Sequence, residues 1–197
     1  MPSSPSLNRR NLLYAAMAST LALAASNSQG NAQMVIKQIN VERLSVTSFK
    51  SFDRVMAMLE DAIGHPNMSD FVKEIGATRT YGELEKVVQS GLGRSGFMEF
   101  ARYDLGLILR KERGEGTPKS LRLVIGNPLI MKEMLKHVPD AGSYAPVTVL
   151  IDERPDGVHL SYDRMASFLA PYESPDALKV AQDLDAKVEN LLTEAAS

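Results

Sequence analysis

The stretch from Leu121 to Tyr162 constrains the fold of this chain more than any other part of the sequence. It begins with a dense apolar run, Leu121 to Ile125, which is followed by Gly126, Asn127 and Pro128. Glycine allows a sharp backbone turn, and proline has the fixed φ angle that suits the first position of a helix. The Asn127 side chain is expected to cap that helix. The stretch therefore predicts a strand, a turn and a helix in direct succession.

Two further strands are predicted in the same stretch. Val147 to Ile151 is β-branched and apolar, which favours a strand covered on at least one face. Arg154 to Gly157 has the composition of a hairpin turn, because proline presets one central position and glycine accepts a positive φ. In the strand that follows, Val158, Leu160 and Tyr162 share one face. An antiparallel hairpin with one buried face is the expected result.

Capping residues and apolar spacing predict four more helices. Ser51 precedes a segment whose apolar residues fall on one helical face, and Asn67 or Ser69 opens a second such segment. Thr80 has the spacing of a capping box for a third. Ser174 starts the last and longest helix. Each cap satisfies backbone amides that would otherwise lack a partner.

Two more strands complete the expected sheet. Leu44 to Phe49 is predicted as the first strand, and Phe97 to Glu112 as the longest. Gly106 within the long strand indicates a bulge, or a close approach by another backbone or a ligand. The prediction is a single α+β domain: a mainly antiparallel sheet with helices packed on one face. Its order is strand, helix, strand, strand, helix, strand, strand, helix.

Residues 1–32 are predicted to be an export signal. Arg9 and Arg10 precede an apolar stretch that is too short for an ordinary transmembrane helix, and cleavage is expected after Ala32. The segment resembles a twin-arginine export motif, and a general secretory signal that carries two arginines is the alternative. Both predict a periplasmic or secreted protein without a stable membrane anchor after cleavage. Residues 33–43 would then form an N-terminal lead-in.

Composition excludes several kinds of site. Without Arg9 and Arg10 the chain has 20 basic and 24 acidic residues, a net charge of about −4. This charge argues against a nucleic-acid partner, which requires a basic face. The sequence contains no cysteine, so disulfides, thiolate nucleophiles and thiolate metal ligands are all absent. No cofactor is indicated.

The apolar strand with Gly126-Asn127-Pro128, followed by Ala145-Pro146-Val147 and Gly157 to Tyr162, resembles the domain of unknown function 302 family. The resemblance runs from about residue 46 to residue 172, and we assign the domain to residues 44–172 and a C-terminal helix to residues 173–197. It implies a compact α+β domain with helices on one side of an antiparallel sheet, often dimeric. It implies no established activity.

Three residues are candidates for ligand binding: Asp104, Asn127 and Tyr162. Asp104 could be a functional carboxylate, although an ion pair with Arg102 is the simpler interpretation. Asn127 could orient a ligand, although a helix cap explains it fully. Tyr162 could donate a proton or hold a ligand, although a core-edge tyrosine bonded to backbone is more common.

Around the hairpin, His159 lies near Asp152, Glu153 and Asp156, but hairpins usually carry solvated charges, so no metal site is predicted.

Three functional hypotheses follow from the sequence. The leading one is an exported, non-catalytic module that binds a small molecule or a partner in a cleft near the three candidate residues. The others are a hydrolase or lyase that uses Asp104 and Tyr162 as acid and base, which requires their side chains to converge, and a structural homodimer.

Overall fold

Five antiparallel strands form the frame of the protein, whose computed structural model describes residues 33–197. Residues 37–197 form one compact unit. The sheet has the order β1-β5-β4-β3-β2. The strands are β1 Arg43–Ser48, β2 Met98–Asp104, β3 Ser120–Gly126, β4 Val147–Arg154 and β5 Gly157–Asp163. The helices are α1 Phe52–Ala62, α2 Met68–Ala77, α3 Tyr81–Gly91, α4 Leu105–Arg113, α5 Pro128–Leu135, α6 Met165–Leu169 and α7 Pro175–Ala196, with 3₁₀ turns at Pro139–Ser143 and Ala170–Tyr172.

Five helices begin at caps that the sequence predicts. In each, the side-chain oxygen of the cap accepts a hydrogen bond from a backbone N–H in the first turn, which satisfies a group that has no partner inside the helix. The caps are Ser51 for α1, Asn67 for α2, Thr80 for α3, Asn127 for α5 and Ser174 for α7. Local sequence therefore determines where most of the helices start.

One face of the sheet is buried under α1, α5 and α7. The strand register places Val149 opposite Tyr162 and Ile151 opposite Leu160, and all four side chains are buried. The helix α7 packs against α1, α5, β1 and β5, so it lies at the centre of this layer. A smaller apolar cluster joins α2 and α3 to the start of β2. The predicted α+β architecture, with an antiparallel sheet and helices on one face, is confirmed.

The opposite face of the sheet, called the open face below, is defined by Tyr103, Arg122, Leu150 and Ser161, which are neighbours in register. Tyr103 and Arg122 are exposed, Leu150 is half-buried, and Ser161 is buried between the neighbouring strands. Strands that alternate in this way bury one face and leave the other accessible.

The predicted long strand from Phe97 to Glu112 is wrong in its second half. β2 ends at Asp104, and Leu105 begins helix α4. Asp104 Oδ1 accepts a hydrogen bond from Leu107 N at 2.8 Å, which is the geometry of an N-cap. The strand's irregularity lies between Glu99 and Ala101, not at Gly106.

Gly106 instead lies in the first turn of α4. A Cβ atom at Gly106 would lie 2.9 Å from the Ser120 nitrogen, so the predicted close approach to another backbone is present. The helix ends at Gly114, whose φ of 94° belongs to the region that glycine favours.

The predicted export signal, including Arg9, Arg10 and the cut after Ala32, lies outside the described residues. None of the helices within residues 33–197 combines the length and the apolar character needed to cross a bilayer.

Candidate functional site

Asp104 caps α4 and pairs with the last turn of the same helix. Arg110 donates to Asp104 Oδ2 at 2.6 Å, and this guanidinium holds the pKa of Asp104 below its ordinary value. Arg102, the partner expected from the sequence, donates instead to Glu99 and Glu60. Asp104 is thus an ionised carboxylate whose two oxygens already have partners.

The side-chain amide of Asn127 makes a hydrogen bond through its oxygen and another through its nitrogen. Its Oδ1 accepts from Leu129 N at 2.9 Å, and its Nδ2 donates to Gly96 O at 3.0 Å. The first bond caps α5, and the second joins the cap to the loop before β2. Asn127 therefore borders a cavity with one amide hydrogen and one oxygen lone pair already used.

Tyr162 belongs to a buried polar cluster that is centred on Asp185 of α7. The Tyr162 hydroxyl, with the ring only 2% exposed, donates to Asp185 Oδ1 at 2.7 Å. Asp185 is 4% exposed and also accepts from Met165 N at 2.7 Å and from Ala166 N at 3.1 Å. The carboxylate thus holds the start of α6 and the end of β5 to the long helix.

Burial raises the pKa of Tyr162 above its ordinary value, and the negative charge of Asp185 raises it further. Tyr162 therefore remains a neutral hydrogen-bond donor at every pH at which the protein is expected to work. Asp185 was not among the sequence candidates. In the sequence it is one of several acidic residues on α7, and the partners that give it a role lie about 20 residues away.

The three candidate residues line three different cavities. Asp104 and Tyr162 share a face of the sheet by register, but three strand spacings separate β2 from β5, which is about 14 Å. Asp104 is also exposed, whereas Tyr162 faces Asp185 in the core. The structure does not bring the three together, and an acid–base pair of Asp104 and Tyr162 lacks the convergence that it requires.

The charged side chains near the β4–β5 hairpin each contact a different partner. His159 Nε2 lies 2.9 Å from Asp156 Oδ1, Asp152 pairs with Arg154 at 2.6 Å, and Glu153 accepts from Lys119 N at 2.7 Å. Within residues 33–197, no group of three or more acidic or histidine side chains has an arrangement that could hold a metal ion.

A cavity of about 720 Å³ lies near the start of α1, α4 and the hairpin, and half of its lining residues are charged. Four of its charged side chains form two ion pairs: Lys119 Nζ lies 2.6 Å from Asp53, and Arg110 pairs with Asp104. Solvent-exposed pairs of this kind are common on protein surfaces and do not by themselves indicate a ligand.

The cavity beside Asn127 is different, because its walls are almost entirely apolar. It has a volume of about 120 Å³ and lies between α5, α7 and the ends of β3 and β4. Met134, Val147 and Leu184 form a buried floor, and half-buried side chains of α5 form part of the rim. The lining residues are Phe100, Gly126, Asn127, Pro128, Ile130, Met131, Met134, Ala145, Pro146, Val147 and Leu184. We call this space the α5 cavity.

Comparisons with known proteins agree with this fold. A search of curated proteins gives no match. The solved structure of an uncharacterized conserved protein DUF302 from Bacillus stearothermophilus is similar, with a TM-score of 0.54. The similarity covers 78% of this chain and 97% of that chain at 12% sequence identity, which is evidence for a shared fold alone.

A family model described as "Domain of unknown function DUF302" matches residues 73–195, from α2 to the end of α7. This match includes β2 to β5, α5 and the long C-terminal helix, and it covers more than half of the chain. The protein therefore belongs to the DUF302 family.

Proposed function

We propose that this protein is an exported, non-catalytic binding module that holds a small apolar molecule, or the apolar end of a larger one, in the α5 cavity. The observation that carries this proposal is the apolar lining of a cavity that opens at the surface. Protein interiors are packed closely, with few voids larger than a water molecule. An accessible apolar space of about 120 Å³ can therefore receive a small ligand without displacing packed side chains.

The lining also defines the chemistry of that occupant. Asn127 is the one lining residue with a polar side chain, and both ends of its amide are already bonded. A ligand with several hydrogen-bonding groups inside the cavity would lose more water partners than Asn127 can replace, at a cost of roughly 1–3 kcal/mol for each unreplaced partner. Met131 and Met134 can adapt their flexible thioether chains to different apolar shapes. The cavity thus favours hydrocarbon over polar ligands.

Benzene and xenon are suitable probes, because an apolar cavity on the order of 150 Å³ binds both in another protein. We expect each to shift the methyl NMR signals of Ile130, Met134 and Val147 in the residue 33–197 protein. Replacing Ile130 by phenylalanine fills the cavity and is expected to weaken benzene binding at least about tenfold.

Val72→Phe is the matched control, since it adds an aromatic ring on α2 at a side chain that is 65% exposed. It is expected to leave benzene binding unchanged. The proposal is rejected if benzene shifts no cavity methyl, or if Ile130→Phe binds it as the unmodified chain does.

A homodimer is the second candidate, and the exposed apolar surface of α4 supports it. Ile108 is 71% exposed, Tyr103 at the end of β2 is 52% exposed, and Leu107 is 47% exposed. Contiguous exposed apolar side chains of this size are characteristic of interaction surfaces. A second copy of the chain would remove them from water.

The self-association proposal predicts a mass twice that of the monomer in sedimentation at about 100 µM, and a monomer for Ile108→Glu, because charge at the centre of an apolar contact is strongly unfavourable. Val72→Glu introduces the same charge at another exposed apolar position and should stay dimeric. A monomeric unmodified chain at this concentration would exclude the homodimer.

A further inference from the structure

A shallow groove crosses the open face of the sheet near the start of β4. It consists of two adjoining cavities of about 230 and 270 Å³, which share Arg122, Thr148 and Asp163. Arg122 projects from β3, with Tyr103 and Leu150 as its neighbours in register. We call this surface the Arg122 groove.

Arg122 supplies the uncompensated charge of this surface. Asp163 is held by Arg43 through two hydrogen bonds of 2.7 and 2.8 Å, and Asp152 is held by Arg154 at 2.6 Å. These two pairs cancel, whereas no acidic side chain within residues 33–197 lies within 4.0 Å of the Arg122 guanidinium. The open face around the groove thus carries one net positive charge.

The larger of the two cavities also has an aromatic wall. Phe168 stacks on Tyr144 with ring centroids 4.9 Å apart and an angle of 15° between the planes. The Tyr144 hydroxyl is fixed in turn by that of Tyr172, at 2.8 Å. Met165 and Val147 also line this cavity. A flat apolar group can lie against Phe168 while Arg122 remains accessible beside it.

We propose that the Arg122 groove binds a small organic carboxylate with a flat apolar body. The planar guanidinium can donate two parallel hydrogen bonds to a carboxylate, and the Thr148 hydroxyl lies in the same cavity as a further donor. A phosphate monoester, with a charge near −2, would be only half neutralised by one arginine. The proposed ligand of the Arg122 groove is thus an anion, whereas the proposed ligand of the α5 cavity is uncharged.

Phenylacetate and its neutral isostere phenylacetamide test this assignment with the residue 33–197 protein. In an NMR titration, phenylacetate is expected to shift the signals of Thr148, Arg122 and Phe168 and to bind about tenfold tighter than phenylacetamide. Arg122→Gln should abolish this preference, because the amide cannot replace the charge. Arg122→Lys, which retains the charge without the planar fork, should give an intermediate preference.

Arg54→Gln is the matched control, since Arg54 is an exposed arginine on α1 that lines neither cavity. It should bind both probes as the unmodified chain does. Equal binding of phenylacetate and phenylacetamide overturns the proposal. An equal loss of preference for phenylacetate in Arg54→Gln and Arg122→Gln also overturns it, because that result indicates only a general attraction of anions to a positive surface. Because the Arg122 side chain is exposed, we expect all three variants to melt within about 2 °C of the unmodified chain.

Discussion

Replacing Gly64 by alanine is expected to lower the free energy of unfolding by more than about 3 kcal/mol, because three backbone segments meet at this residue. An alanine Cβ would lie 2.0 Å from Gly91 O and 2.6 Å from Gly93 N. These are backbone atoms, so no side chain can rotate away. Urea denaturation of Gly64→Ala at 25 °C gives the loss directly.

The contact around Gly64 also carries hydrogen bonds that alanine would displace. Gly64 N and Gly93 N both donate to Phe97 O at 2.9 Å, and Glu99 N donates to Gly64 O at 2.8 Å. These bonds join the ends of α1 and α3 to the start of β2. A shift that relieves the clash would therefore break the attachment of the edge strand.

Gly76→Ala provides the opposite control. Gly76 lies in the last turn of α2, and a Cβ there would meet no heavy atom within 4 Å. Alanine in a helix interior is more stable than glycine by roughly 0.5–1 kcal/mol, so this variant should gain stability. If Gly64→Ala lowers the free energy of unfolding by less than about 1 kcal/mol, the three segments can separate at little cost and the prediction is wrong.

Asp185→Ala is expected to lower the free energy of unfolding by about 3–5 kcal/mol, which is the second large effect. The substitution leaves the buried Tyr162 hydroxyl and the half-buried Ala166 N without their acceptor, and Met165 N keeps only the longer bond of 3.2 Å to the Tyr162 hydroxyl. Removing one member of a buried, charged hydrogen-bonding group costs more than the bonds contribute, because the remaining members stay without water. Thermal and urea unfolding both report the change.

Asp183→Ala is the matched control on the same helix. Asp183 is exposed and contacts Lys179 at 3.3 Å, a surface pair whose contribution is below about 1 kcal/mol. Tyr162→Phe removes the hydroxyl that donates to Asp185 Oδ1 and accepts from Met165 N, and it should lower the free energy of unfolding less than Asp185→Ala, by about 1–2 kcal/mol. If Asp183→Ala and Asp185→Ala lower the free energy of unfolding by similar amounts, the buried Asp185 carboxylate has no special structural role.

Helix starts could be predicted from the sequence because their physical cause is local. Ser51, Thr80 and Asn127 act on amides two or three residues away, so the pattern that signals the helix also contains its cap. The same reasoning placed the hairpin between β4 and β5. The α+β class with an antiparallel sheet follows from these elements.

The sequence pattern does not reveal helix α4, because the apolar residues of this helix do not form one buried face. Leu105, Leu107 and Leu109 alternate, which is the pattern of a strand, and all three remain exposed in the helix. Two local signals were available. Asp104 is a favoured N-cap residue, and basic side chains in the last turn before Gly114 are favourable at a helix C-terminus.

The candidate sites could not be assembled from the sequence for a different reason. The α5 cavity joins β2, β3, β4, α5 and α7, which lie far apart in the chain. The Arg122 groove depends on register, since Arg122 is one charged residue in an apolar run until Leu150 and Tyr103 are placed beside it. Asn127 lies beside the α5 cavity and bonds Leu129 N and Gly96 O, and its role in ligand binding stays a prediction.

The position of β1 also determines when the domain can fold. β1 pairs with β5, so the ion pair of Arg43 with Asp163 joins residues 120 positions apart, and Ser48 donates to Ala196 O across 148 positions. A ribosome that has released β1 must still make nearly the whole chain before either partner exists. Pairing over such distances slows folding. The sheet therefore cannot be completed until most of the chain has been synthesised, because its edge strand β1 pairs with β5 and contacts the end of α7.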